Sequence, residues 1–81
     1  MATQTSWQES DGALSRDFEF EDFVEAFGFV TQVALIAQRH NHHPDISISW
    51  NKVSIMTTSH DAGNTVTDRD HKLTAAIDAL L

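Results

Sequence analysis

Five histidines in 81 residues are the compositional anomaly of this chain. His40, His42 and His43 crowd together just before Pro44. His60 follows a run that reads as a strand, and His71 falls at the start of the last apolar-periodic segment. Imidazole is the side chain whose ordinary pKa, about 6.5, lets it give and take protons near neutral pH. The end of a helix beside the end of a strand is a common place for a cleft. His42, His43 and His60 are therefore candidates for acid/base work on a small molecule.

Three other readings compete for the same residues. A zinc ion would accept three histidines, but such sites usually show i, i+4 spacing on a helix or cysteine companions. His40 and His42 are two apart and the chain has no cysteine, so the spacing points away from a metal. Ser59-His60-Asp61 contains the residue types of a hydrolase triad. Neighbours along a strand project to opposite faces, so these three cannot relay protons to one another. On composition alone, the third reading stays open: histidines in surface turns, satisfied by water or backbone.

The elements that must hold these residues follow from hydropathy. After Trp7 a weak strand leads to a turn at Asp11-Gly12 and a second strand over Ala13 to Phe20, with Leu14, Arg16, Phe18 and Phe20 on one face. The period then changes. Phe23, Ala26, Phe27, Val30, Val33, Ala34 and Ala37 recur as an amphipathic helix stripe over about 21–40. Acidic Glu21, Asp22 and Glu25 suit its positive end, and Glu19 extends that solvated run. Gly28 costs about 1 kcal/mol in mid-helix, which suggests close packing against another backbone. Pro44 enforces the exit from the helix.

Ile46, Ile48 and Trp50 alternate with serines, and Val53, Ile55 and Thr57 resume the alternation after Asn51-Lys52, as in a hairpin. Gly63-Asn64 marks a loop. Thr67 and Asp70 form a capping box ahead of a last helix over about 68–80, striped by Leu73, Ala76, Ile77 and Leu80. The order β-β-α-β-β-α describes an α+β fold: one domain, residues 1–81, with an antiparallel four-stranded sheet and helices on one face. The phenylalanines at 18, 20, 23, 27 and 29 are expected in the core, with a minority facing a partner chain; Trp50 is expected there more than stacked on a planar ligand, and Asp70 is expected to serve as a helix cap.

Composition excludes several classes. Twelve acidic against five basic residues leave a formal charge of −7. Arg16, Arg39, Lys52, Arg69 and Lys72 are scattered, whereas a nucleic-acid surface needs clustered cations. The longest apolar run, Val33 to Ala37, is far shorter than the ~20 residues that span a bilayer. The first fifteen residues have no basic side chain and no apolar stretch, so no secretory signal is expected. The expectation is a soluble cytoplasmic protein. A chain this short buries only about 60% of its unfolded surface, and with no disulfide to staple it, self-association is expected.

Phe18-Glu-Phe-Glu-Asp-Phe23, Ala26-Phe-Gly-Phe29, His42-His-Pro-Asp45, Trp50-Asn-x-Val53, Ser59-His-Asp61 and Thr67-x-x-Asp70 occur in that order. From Trp7 to Leu81 this series resembles the pterin-4a-carbinolamine dehydratases. The specific part is His-His-Pro, an aromatic six residues after the proline, a histidine ten further on, and a later Thr-x-x-Asp. The resemblance implies dehydration of 4a-hydroxytetrahydropterin to quinonoid dihydropterin, a lyase step in tetrahydrobiopterin recycling, with no metal or organic cofactor. It implies His42 and His60 as the acid/base pair and His43 as the residue that orients substrate. Asn41, His42 and His43, with Thr58, Ser59, His60 and Asp61, would line the pterin pocket. It further implies a homodimer or homotetramer.

Three departures stand out. Gln38 occupies a position where the family commonly has an acid. Ser59 replaces the usual threonine, and the chain begins six residues before Trp7 where many members carry a helix. The competing class is a non-catalytic binding or assembly partner on the same fold, with the helical surface carrying the function. The joint presence of His42, His43 and His60 favours the enzyme, since a scaffold has no need of all three.

Overall fold

A computed structural model describes residues 6–81. The elements are β1 (Gln8–Ser10), β2 (Ala13–Glu19), α1 (Phe23–His40), β3 (Asp45–Ser49), β4 (Lys52–Thr57), a 3₁₀ turn (His60–Ala62) and α2 (Asp68–Asp78). The four strands form one antiparallel sheet in the order β1-β2-β4-β3. Phe18 pairs with Val53 across β2 and β4, and Ile48 pairs with the same Val53 from β3. Strand periodicity aims Val53, Ile55 and Thr57 of β4 inward. There Val53 and Ile55 join Phe18, Phe20, Ala26, Phe29, Val33 and Ala37, with Leu73 and Ile77 of α2, in one core.

Arg16, on the apolar face of β2, is accommodated by specific partners. Its Nη1 donates to Asp78 Oδ1 at 2.8 Å, and its guanidinium carbon lies 4.8 Å from the centre of the Phe18 ring. Trp7 Nε1 donates to the same carboxylate oxygen at 2.9 Å, so Asp78 ties the sheet to the end of α2.

Helix α1 begins two residues later than the pattern suggests, because Asp22 is its cap: Oδ1 accepts from the Glu25 backbone N–H at 2.9 Å. Its buried face differs from the expected stripe. Ala26, Phe29, Val33 and Ala37 face the sheet, while Phe23 and Phe27 are 45% and 53% exposed and Ala34 is exposed. The helix has two apolar stripes, and periodicity cannot choose between them. Ring packing does: Phe29 sits 4.8 Å from Phe18 and 5.0 Å from Phe20, leaving Phe23 and Phe27 to stack on each other outside at 5.8 Å. A Cβ built at Gly28 meets no heavy atom within 4 Å, so no backbone of the described chain packs closely there.

Trp50 also lies outside the core, at 64% exposure. The hairpin turns one residue earlier than expected: Ser49 pairs with Lys52, so Trp50 and Asn51 form the turn. Trp50 adopts φ 55°, rare for a bulky residue. Asn51 anchors the turn by donating from Nδ2 to the Phe20 carbonyl and accepting from the Phe20 N–H, both at 2.9 Å.

Gly12, by contrast, is required by geometry. It has φ 78°, and a Cβ there would come 2.1 Å from the Asn64 carbonyl oxygen. The β1–β2 turn is thereby pressed against the loop that carries His60. Among the described residues, no helix is long and apolar enough to cross a membrane.

Candidate active site

Helix α1 ends at Asn41, which takes the left-handed conformation (φ 50°) and returns its N–H to Ala37 and Gln38. This cap, placed ahead of Pro44, turns the next residues back toward the sheet. The His42 N–H still bonds the Ala37 carbonyl at 3.1 Å. His42 is buried at 7% exposure, whereas His43 points to solvent. On the far side, β4 ends at Thr57, and the chain loops through Ser59 into the 3₁₀ turn that starts at His60. The loop is closed by Ser59 N–H bonding Thr65 O at 3.0 Å and Asn64 N–H bonding Ser59 O at 3.1 Å.

Asp70 joins these two segments. It caps α2 as expected, with Oδ2 accepting from the Thr67 N–H at 3.0 Å. It is also completely buried. Oδ1 accepts from Thr57 Oγ1 and from His42 Nε2, each at 2.6 Å, and Oδ2 accepts from Ser59 Oγ at 2.8 Å. Burial by itself would push this carboxyl up. The hydrogen bonds from Thr57, His42, the Thr67 N–H and Ser59 outweigh it and hold the pKa at about 2, below the ordinary 3.8. Asp70 is thus an anion at neutral pH and an acceptor only, so His42 donates from Nε2 and carries its lone pair on Nδ1.

The other two candidate histidines share this logic with neutral acceptors. His43 Nε2 lies 2.9 Å from Gln38 Oε1, and His60 Nδ1 lies 2.7 Å from Asn64 Oδ1. An amide oxygen can only accept, so each ring donates from that nitrogen. Each of the three imidazoles therefore has one nitrogen committed and the other able to take a proton, a prerequisite for acid/base work.

Thr58 does not join the buried knot. Its hydroxyl donates to the Gly12 carbonyl at 2.7 Å, fastening the β1–β2 turn to the end of β4. Asp61 faces solvent and accepts from Arg69 Nη1 at 3.1 Å, while Arg69 Nη2 donates to the Asn41 carbonyl at 2.7 Å. The structure thus connects Asn41 and Asp61 through Arg69, and His42 and Ser59 through Asp70. His60 opens onto a groove of about 540 Å³, walled by Ser10, Asp11, Ala13, Met56 and Thr58 among others, without His42 or His43. Among the described residues, no group of three or more His, Cys, Asp or Glu side chains is placed to hold a metal ion.

Sequence reasoning missed three participants: Asp70 beyond its capping role, Arg69, and Asn64. The capping box accounts for one oxygen of Asp70. The partners of the other come from two remote segments, 13 and 28 residues away.

The profile of the pterin 4 alpha carbinolamine dehydratases matches residues 1–80, and the chain belongs to that family. A protein of Rhizorhabdus wittichii is 50% identical over 76 residues, covering 91% of this chain and 77% of its own length. One of Synechococcus sp. (strain WH7803) is 47% identical over 78 residues, covering 96% of this chain and 83% of its own. Both carry the name pterin-4-alpha-carbinolamine dehydratase provisionally. A crystal structure described as a transcriptional coactivator/pterin dehydratase from Brucella melitensis superposes with a TM-score of 0.85 at 37% identity, covering 94% of this chain and 82% of that one. A pterin dehydratase-like protein identified as a RuBisCO assembly factor in the alpha-carboxysome shares the fold, with a TM-score of 0.78 at 20% identity, covering 94% of this chain and 89% of that one.

Proposed function

We propose that this protein is a 4a-hydroxytetrahydropterin dehydratase working through His42, His60 and His43. The observation that carries the reading is the buried hydrogen-bond knot at Asp70, which joins the His42 turn to Ser59, next to His60. Elimination of water requires a proton on the departing 4a hydroxyl and removal of the proton from the adjacent ring nitrogen. The nitrogen lone pair then forms the C=N bond, giving water and quinonoid dihydropterin. His42, through Nδ1, and His60, through Nε2, are the groups able to exchange those protons. His43 orients the substrate. Asn41, Thr58 and Asp61 supply the remaining pocket wall, partly through strand-end backbone groups that read the pterin edge, and Ser59 backs that wall from its bond to Asp70. The scheme places this chain in pterin-cofactor recycling and calls on no metal or organic cofactor.

Gln38 gives His43 a neutral acceptor where many family members would offer a carboxylate. On that basis His43 serves to hold substrate and leaves proton transfer to the other two. A homodimer or homotetramer fits the exposed apolar outer face of α1, with Phe23, Val24, Phe27 and Leu35 open to solvent. The same face favours the second reading, a binding or assembly partner with little dehydratase activity.

The deciding experiment is turnover of freshly generated 4a-hydroxytetrahydropterin by wild type and His60→Ala. A rate well above spontaneous dehydration that is lost in His60→Ala establishes the enzyme. No rate above background in either protein rejects it in favour of the assembly reading.

A further inference from the structure

Consecutive residues of α2 tie the same two segments together from opposite sides. From inside, the Asp70 carboxylate holds His42 and Ser59. From outside, the Arg69 guanidinium holds the residue before His42 and the residue after His60: Nη2 donates to the Asn41 carbonyl at 2.7 Å and Nη1 to Asp61 Oδ2 at 3.1 Å. The base of Arg69 is itself fixed, since its N–H donates to Thr67 Oγ1, which also bonds Ser59 Oγ at 2.7 Å. Asn41 is the left-handed cap of α1, and a cation at its carbonyl suits the negative end of that helix.

We infer that Arg69 is a positioning residue, a strap that sets the spacing between the His42–His43 turn and the His60 turn. Its side chain is 46% exposed and that of Asp61 74%, so the pair adds little to global stability. Its effect lies in geometry. A planar guanidinium can point separate N–H groups at two acceptors in a fixed fork, whereas a lysine ammonium is a flexible point charge that lacks that fork. Charge alone therefore does not replace it. The activity arm of the test rests on the dehydratase reading, and the second arm does not.

The test compares Arg69→Ala and Arg69→Lys with Lys72→Ala, which removes a cation from the same helix away from the site. In substrate-free protein, hydrogen exchange is read at the amides of His42, Ala62 and Gly63, which bond to Ala37, Ser59 and His60 respectively. Both Arg69 variants are expected to speed exchange at these three amides together, by roughly tenfold, with core amides unchanged. In turnover, both raise KM by roughly five- to twentyfold and lower kcat by less than about threefold, because binding needs the set spacing. Lys72→Ala leaves both readouts at wild type.

An Arg69→Lys protein with wild-type exchange and KM would show that charge suffices and overturn the strap, as would an unaffected Arg69→Ala. Should Arg69→Ala fold poorly, Arg69→Lys decides the question, since it keeps the charge and most of the stem. A wild-type protein without turnover rejects the dehydratase reading, while the exchange measurement still decides the strap.

Discussion

His42 and His60 are eighteen positions apart, and their surroundings are opposites. His42 is buried and donates to an ionised, completely buried carboxylate that three further donors also serve. His60 is exposed at the start of a one-turn 3₁₀ segment and donates to the amide oxygen of Asn64, only four residues away. One imidazole is part of the core's polar wiring, and the other hangs on a local loop. Two histidines proposed to exchange protons with one substrate therefore carry different structural duties. His42 cannot be altered without disturbing a buried charge, and His60 can.

The comparison can be tested at several levels. The largest effect is expected in turnover, where His42→Ala and His60→Ala should each lose roughly 10²–10⁴-fold in rate. A variant of either that keeps wild-type activity removes that residue from the proposed chemistry. The pair separates in stability. Urea unfolding should show His42→Ala destabilised by about 2–3 kcal/mol, because the Asp70 anion loses a buried donor. His60→Ala should stay within about 0.5 kcal/mol of wild type. Equal losses would erase the distinction.

Acid titration tests the charge itself. The Asp70 pKa in the folded protein, about 2, is depressed below the ordinary 3.8. The group therefore contributes stability that is fully present above about pH 4 and is lost as pH falls toward 2. The contribution near neutrality is about 2 kcal/mol. Wild type should lose stability over that window more steeply than Asp70→Asn. Parallel curves for the two proteins would contradict an ionised hub.

The smallest effect comes from making the two sites alike. Asn64 has φ 60°, which Asp also tolerates, so Asn64→Asp places a carboxylate on His60 without straining the loop. Urea unfolding should place this variant within about 0.5 kcal/mol of wild type, because the pair is open to solvent. A change of more than about 1 kcal/mol would show that the His60–Asn64 contact bears on folding beyond its own loop.

Much of the fold was legible because it depends on local periodicity and punctuation. The change from alternation to a helical stripe at Phe23, the Thr67–Asp70 box and the proline after the histidines mark element type and order directly. The faces were less legible. Phe27 and Phe29 are equally apolar and two residues apart on one helix. Which of them meets Phe18 and Phe20 depends on how the helix rolls onto the sheet, a matter of packing across the chain. Trp50 was misplaced for a related reason: a one-residue shift of the hairpin turn moves a side chain from a strand face to an exposed corner.

The site divides in the same way. The histidines, the capping box and the turn residues are chemical identities written into the chain, and they carried the family resemblance. That Asp70 would be an anion shared by His42, Thr57 and Ser59, and that Arg69 would fasten Asn41 to Asp61, depends on side chains from three separate stretches converging on the start of α2. Local sequence sets what each residue can donate or accept. Only the tertiary structure decides which partners are near enough for a 2.6 Å bond, because burial and distance are properties of the packed chain.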